Sequence, residues 1–75
     1  MQRVGTVVRT AQGLAIARSP DGSYPDLGAT VVDEQLDGVG RVVDVMGPTE
    51  RPYVVIRPAE DRPPAGLLNT KLYAR

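Results

Sequence analysis

The sequence contains neither cysteine nor histidine. Without cysteine, no disulfide can crosslink the fold, and nothing points to a secreted chain. Without histidine, the chain lacks the commonest metal ligand and the usual proton shuttle of enzymes. These absences exclude Cys–His and Ser–His nucleophile systems and a zinc site of ordinary ligands. We therefore expect no catalytic residue, no bound metal and no cofactor.

Aromatic residues are also scarce, with three tyrosines and neither phenylalanine nor tryptophan. Single-stranded nucleic acid is usually held on aromatic platforms beside basic grooves, and scattered tyrosines make a poor platform. Nine basic and nine acidic residues balance to a formal net charge of zero. Nucleic-acid-binding domains normally carry a basic excess. The composition therefore disfavours direct, stand-alone RNA binding.

A chain of 75 residues has room for one domain. Folding buries only about 60% of the unfolded surface at this size, so the domain is near the lower limit for folding alone, and a partner often adds support. No apolar run approaches the ~20 residues of a membrane helix, and no charged-then-apolar leader follows Met1. We expect a single domain over residues 1–75, cytoplasmic and monomeric when free.

Short β-branched runs, separated by glycine and proline, recur along the whole chain. Seven prolines and eight glycines leave little space for a helix of ordinary length. The runs with strand character are residues 4–10, 14–18, 29–33, 39–46, 53–57 and 68–73. Short strands at near-regular spacing indicate a sandwich or barrel, and closure best removes the sheet edges of so small a chain. The predicted fold is an all-β, closed barrel of six strands.

The predicted strand over residues 39–46 is apolar on both faces. Strict alternation puts Val43 and Val45 on one face. The same alternation puts Val42 and Met46 on the opposite face. Either this strand is central and covered by loops, or it exposes an apolar patch that is reserved for another protein.

A Gly-Pro pair at positions 47 and 48 ends this strand, and residues 53–56 are again apolar on both faces. Glycine permits a backbone conformation that other residues resist, and proline fixes the next φ angle. Most such pairs are only turns. A preordered tip beside an apolar strand is also suited to docking, because little flexibility is lost on binding.

Asp44 lies inside the apolar strand, where an acid is unusual. We expect a structural role, in which Asp44 accepts hydrogen bonds from a nearby turn or pairs with an arginine. No general-acid partner for it can be identified. Adjacent acids elsewhere, such as Asp33 with Glu34, are typical of solvated surface.

The central run, Val39 to Pro48, is Val-Gly-Arg-Val-Val-Asp-Val-Met-Gly-Pro, and Pro52-Tyr53-Val54 follows it. Leu27-Gly28, Val31 and Asp33 precede the run, and Leu72-Tyr73 lies near the end. This pattern closely resembles the glycine-arginine-rich (GAR) protein family of H/ACA ribonucleoprotein particles. The glycine-arginine-rich tails of eukaryotic members are absent, which is typical of an archaeal-type version. Residues 66–71 also depart from the family pattern.

The resemblance implies a barrel of the kind shared with translation factors. It also implies a non-catalytic subunit that docks on the catalytic domain of a dyskerin-type pseudouridine synthase and assists substrate loading and product release in rRNA modification. Guide RNA and substrate RNA then meet this subunit only indirectly, through the assembled particle. The motif positions expected at or near the synthase interface are Val43, Val45, Met46, Gly47, Pro48 and Tyr53. Of these, Val43 or Val45 can equally be core.

Three other hypotheses stay open. The chain can be the barrel of a ribosome-maturation or translation factor, which shares this topology. It can be a small enzyme that uses Asp44 with an arginine such as Arg41. It can be a direct RNA-binding module, which predicts strong, salt-dependent affinity for isolated guide RNA.

Overall fold

Six strands close into one antiparallel barrel in the computed structural model, which describes residues 1–75. The strands are β1 Gln2–Ala11, β2 Leu14–Arg18, β3 Thr30–Val32, β4 Gly38–Met46, β5 Tyr53–Pro58 and β6 Lys71–Ala74. Their order around the barrel is β1-β2-β5-β4-β3-β6, and every neighbouring pair is antiparallel. The predicted all-β fold with a closed six-stranded barrel is confirmed.

The sixth strand begins later than predicted. A 3₁₀ turn covers Pro64–Leu67, and β6 starts only at Lys71. Asn69 has a φ of 67°, which interrupts the extended backbone, and its N–H donates to the Val7 carbonyl at 2.9 Å. Leu67, only 2% exposed, packs into the core from this turn instead of from a strand. The predicted start at residue 68 was therefore wrong.

The inward side chains are mostly valine and alanine, because a barrel this narrow has no space for larger groups on every strand. The core cluster consists of Val4, Val7, Ala15, Ala17, Val31, Val39, Val42, Val54, Ile56, Leu67, Leu72 and Ala74. Every strand and the 3₁₀ turn supply at least one of these residues. The core therefore depends on barrel closure. No helix of the chain is long and apolar enough to cross a membrane.

Two glycines let neighbouring strands approach each other closely. A Cβ atom on Gly5 would lie 2.1 Å from the carbonyl oxygen of Arg18. A Cβ on Gly40 would lie 2.1 Å from that of Arg57. In both cases the obstacle is backbone, which cannot rotate away. Glycine at these positions permits the sharp coiling that a small closed sheet requires.

We predict that Gly40→Ala lowers the free energy of unfolding by at least about 2 kcal/mol, because overpacking against fixed backbone forces the strands apart. Gly38→Ala is the matched control, since a Cβ there meets nothing within 4 Å, and it should change stability by less than about 0.5 kcal/mol. Urea denaturation of both variants measures the difference. Equal stabilities would refute the close-approach explanation.

Asp33 holds the turn between β3 and β4. Its carboxylate Oδ1 accepts the backbone N–H groups of Gln35 at 2.9 Å and Asp37 at 3.0 Å. Its Oδ2 accepts Arg62 Nη2 at 3.0 Å, the single ion pair of the chain. Arg62 also donates to the carbonyl of Gly38 at 3.0 Å. Asp33 therefore joins its own turn to the loop after β5.

The environment of Asp33 lowers the pKa of its carboxyl group. Burial of this side chain acts in the opposite direction and raises the pKa, but the hydrogen bonds from Arg62 and from the two backbone N–H groups outweigh it. Each bond favours the ionised form. The carboxylate therefore stabilises the fold at pH values above its unfolded pKa, and this contribution is lost as the pH falls through the folded pKa.

We predict that Asp33→Asn lowers the free energy of unfolding by about 1–3 kcal/mol at neutral pH, because Arg62 then lacks a charged acceptor. The loss should shrink as the pH falls below 3.8, the ordinary pKa of the group. Thermal melts across this pH range measure the loss of stability, with Asp37→Asn, a change at an exposed carboxylate, as the control. A loss that is independent of pH would contradict the electrostatic explanation.

Candidate functional site

A β-bulge in β4 decides which side chains face outward. In the pairing with β5, Val42 lies opposite Ile56 and Asp44 lies opposite Val55, so Val43 is an extra residue on β4. A bulge shifts the alternation of the strand by one position. Val42 and, after the bulge, Val45 therefore point inward, and Val45 packs against the core as a partly buried residue.

The bulge corrects the predicted faces of this strand. Strict alternation put Val43 with Val45 and put Val42 with Met46. In the structure Val42 is buried, whereas Val43 and Met46 are 37% and 41% exposed on the outer surface. The prediction was wrong because alternation assumes an uninterrupted ladder.

The outer surface of β2, β5 and β4 carries several apolar side chains around one acidic residue, Asp44, which lies opposite Val55. Ile16 and Val55 lie opposite each other and alternate with core residues, so both point outward. Met46 lies opposite Tyr53 in the next row. We call this set of residues, Ile16, Val43, Met46, Tyr53 and Val55, the outer apolar face. Ile16 and Val55 at its centre are only 6% and 5% exposed, since their neighbours cover them.

Two contacts fix the Tyr53 ring at one end of this face. Gly47 has a φ of 89°, and a Cβ there would lie 2.9 Å from the ring atom Cδ2, so only glycine permits this approach. The Arg18 guanidinium carbon lies 4.8 Å from the ring centroid, and Arg18 Nη1 donates to Tyr53 Oη at 2.7 Å. A cation–π contact and a hydrogen bond together orient the tyrosine ring.

Most of the predicted interface positions lie on or beside the outer apolar face. Met46, Gly47 and Tyr53 come together at one end, and Pro48 is exposed next to Gly47. Val43 lies on the same outer surface. Val45 alone points into the barrel. Sequence reasoning missed Arg18, Ile16 and Val55, because their places beside Tyr53 and Val43 depend on the strand register.

The acid–arginine pair of the enzyme hypothesis does not form. Asp44 is exposed, and its Oδ1 accepts the backbone N–H of Val45 at 2.8 Å without an ion pair. Arg41 lies opposite Arg57 across the strands and donates from Nη1 to the Gly28 carbonyl at 3.3 Å. The chain also contains no group of three or more side chains that can hold a metal ion.

The structure is thus a small closed barrel with apolar side chains exposed on one outer surface. The family model described as the Gar1/Naf1 RNA binding region matches residues 1–74. The chain therefore belongs to the Gar1/Naf1 family, as the resemblance implied. This is an RNA-binding accessory family and not a known catalytic one, and membership supports an H/ACA-related RNA-binding role. Comparison with curated proteins gives no match.

We predict that Val45→Ala and Val43→Ala differ in stability although they are two residues apart. Val45→Ala removes methyl groups that pack on the core and should cost about 1–2 kcal/mol. Val43→Ala removes exposed methyl groups and should cost less than about 0.5 kcal/mol. Chemical denaturation distinguishes the two. The opposite order would mean that β4 lacks the bulge.

Proposed function

We propose that this chain is the Gar1-type subunit of an H/ACA guide-RNA pseudouridylation particle. It docks through the outer apolar face on the catalytic domain of a dyskerin-type pseudouridine synthase, acts in the cytoplasm and performs no chemistry itself. The observation that carries the proposal is the exposure of Val43 and Met46 on the strand motif that the family resemblance singles out. Such a patch is typical of a protein–protein contact.

The outer apolar face is preorganised for docking. Its residues lie on hydrogen-bonded strands, and the contacts of Arg18 and Gly47 hold Tyr53. Rigid aromatic anchors lose little entropy on binding, whereas an adaptable side chain such as Met46 adjusts to the partner surface. The face therefore combines fixed and adaptable contacts at low entropic cost.

Charge beside the face indicates the partner's chemistry. Arg41 and Arg57 lie directly opposite each other, and both line a depression of about 430 Å³ that also includes Val43. Like charges in opposing positions destabilise a sheet unless something neutralises them. We infer that the synthase surface offers carboxylates on the side of its apolar patch that meets Arg41 and Arg57, which fixes the orientation of docking.

Docking on a rigid barrel explains how a subunit without chemistry assists turnover. The family resemblance implies that such subunits hold a mobile loop of the synthase in alternative positions. A preformed apolar surface stabilises one loop position by its differential contacts with that position. Substrate loading and product release then become faster because the loop is held away from the RNA path at the required step.

Calorimetric titration of the chain into an archaeal dyskerin-type synthase without RNA tests the proposal. We expect a binding heat that saturates at one chain per synthase. The affinity should be submicromolar, about 8 kcal/mol or more of binding free energy. Met46→Ala and Val43→Asp should each weaken binding about tenfold or more while the melting temperature stays unchanged.

Leu36→Ala is the control, because Leu36 is 52% exposed in the turn between β3 and β4, away from the Met46 end of β4. It should leave the affinity unchanged. If both face variants instead melt at lower temperature, the residues are structural and the interface assignment fails. If the folded chain does not bind a folded cognate synthase, the proposal is overturned, and a ribosome-maturation or translation-factor-like module becomes the better hypothesis.

A further inference from the structure

Basic side chains from three strands and one loop meet in a cleft on the outside of the barrel. The register places Thr6 opposite Arg18 on β2 and opposite Lys71 on β6, so one row of the sheet carries two cations beside a hydroxyl. The cleft has a volume of about 220 Å³. Its lining residues are Arg3, Gly5, Thr6, Val8, Arg18, Pro20, Arg51 and Lys71. Four of these are cationic and none is acidic.

The backbone around this basic cleft is well defined. Gly5, with a φ of 139°, lies against the Arg18 carbonyl and puts no side chain into the space. The buried Ser19 hydroxyl contacts the carbonyls of Asp21 and Ser23 at 2.6 and 2.8 Å and so orders the loop that carries Pro20. The Ser19 N–H donates to the Pro52 carbonyl at 3.0 Å, which anchors the loop next to Arg51.

The cations of the cleft have no anionic partner within the chain. Arg18 donates only to Tyr53, and its buried Nε has no acceptor. Arg3, Arg51 and Lys71 are exposed and make neither an ion pair nor a side-chain hydrogen bond. Asp21 borders an adjoining depression, where its Oδ1 accepts the Ser23 N–H.

Five of the nine acidic residues lie at the opposite end of β4 and β5, together with Arg41, Arg57 and Arg62. The loops next to Gly38 and Pro58 contain Asp33, Glu34, Asp37, Glu60 and Asp61. The pairing of Gly40 with Pro58 marks that end, whereas Met46 and Tyr53 pair at the end near Arg18. The lining of the cleft therefore carries four positive charges and no negative one, although the net charge of the chain is zero.

We propose that the basic cleft binds the phosphate backbone of single-stranded RNA. Uncompensated cations around an open polar cavity attract an anion with several charges, and guanidinium groups pair well with phosphate oxygens. An acidic peptide is less suitable, because only one lining residue is hydrophobic. No aromatic side chain lines the cleft, so binding is independent of base sequence.

This contact deepens the H/ACA-related role but does not depend on docking to the synthase. The cleft and the outer apolar face are neighbours, because Met46, Tyr53, Arg18, Thr6 and Lys71 lie opposite one another in successive strands. The proposed docking residues Met46 and Tyr53 lie at one end of this row, and Thr6 and Lys71 of the cleft lie at the other. The subunit then contacts RNA directly, whereas the composition disfavoured direct binding and the resemblance implied only an indirect contact.

Fluorescence anisotropy of a labelled oligouridine of about 12 nucleotides, titrated with the intact chain at about 50 mM salt, tests the proposal. We expect saturable binding that weakens with salt. The triple variant Arg3→Gln, Arg51→Gln and Lys71→Gln should lose about tenfold or more in affinity. Its slope of log K against log salt should fall by about 2, since each phosphate contact on a single strand contributes about 0.7.

The matched control is the double variant Arg9→Gln and Arg75→Gln, at exposed residues outside the cleft, compared with the double cleft variant Arg51→Gln and Lys71→Gln, which removes the same charge. The control should lose at most about twofold in affinity. An equal loss in both double variants would show a net-charge effect and overturn the site, as would the absence of oligouridine binding by the unmodified chain.

Titration of the triple variant Arg3→Gln, Arg51→Gln and Lys71→Gln into the synthase keeps the RNA-site proposal distinguishable from the docking proposal. Unchanged synthase affinity with lost oligouridine binding supports an RNA site separate from the docking face. Lost synthase affinity with unchanged oligouridine binding would overturn the RNA assignment and make the cleft a protein contact. Single substitutions at each cation, checked by thermal melts, keep the test valid if the triple variant does not fold.

Discussion

Barrel closure is the constraint on which the other features of this structure depend. Six short strands must curve around a core of small aliphatic side chains, and sheets curve this sharply only where glycines and bulges allow it. Gly5 and Gly40 bring their strands against the carbonyls of Arg18 and Arg57. Register shifts interrupt the pairing of β1 with both its neighbours, of β3 with β4, and of β4 with β5.

The same irregularities create the surfaces that the protein presents. The bulge in β4 turns Val43 outward beside Met46, and Gly47 then makes room for the Tyr53 ring. A shift in β1 leaves Val8 exposed at the rim of the basic cleft, while Gly5 leaves its interior free of a side chain. A regular barrel of the same composition would have neither surface in this form.

The sequence was sufficient to predict the closed six-stranded barrel but not to predict which side chains of a strand point outward. The composition and the positions of glycine and proline predict six strands, since each strand is bounded by glycine, proline or polar residues. The side of the barrel that Val43 and Val45 occupy was not predictable, because a bulge is a property of the strand pair. The 3₁₀ turn that inserts Leu67 was missed for a related reason. In the sequence, the apolar residues at its end resemble the start of a strand. Only the packing of Leu67 in the core shows that they belong to a turn.

The composition could not predict the basic cleft, for a different reason. Arg3, Arg18, Arg51 and Lys71 are far apart in the sequence, and only the strand register and the Ser19–Pro52 contact bring them together. Net charge sums over all positions, whereas a ligand responds to the local field. A net charge of zero therefore disfavours strong nonspecific attraction to nucleic acid at long range but does not exclude a short-range site.

A site of this size has consequences for a particle that must release its RNA. Four cations can neutralise only a few phosphates, so the free subunit should bind RNA weakly and with strong salt dependence. In the proposed docked state, the effective concentration of a neighbouring RNA strand makes a weak contact significant. Because the contact is weak and ignores base identity, it can guide a strand during loading without trapping the product. On this proposal, overall neutrality benefits the subunit, since a strongly basic barrel would compete for RNA before assembly.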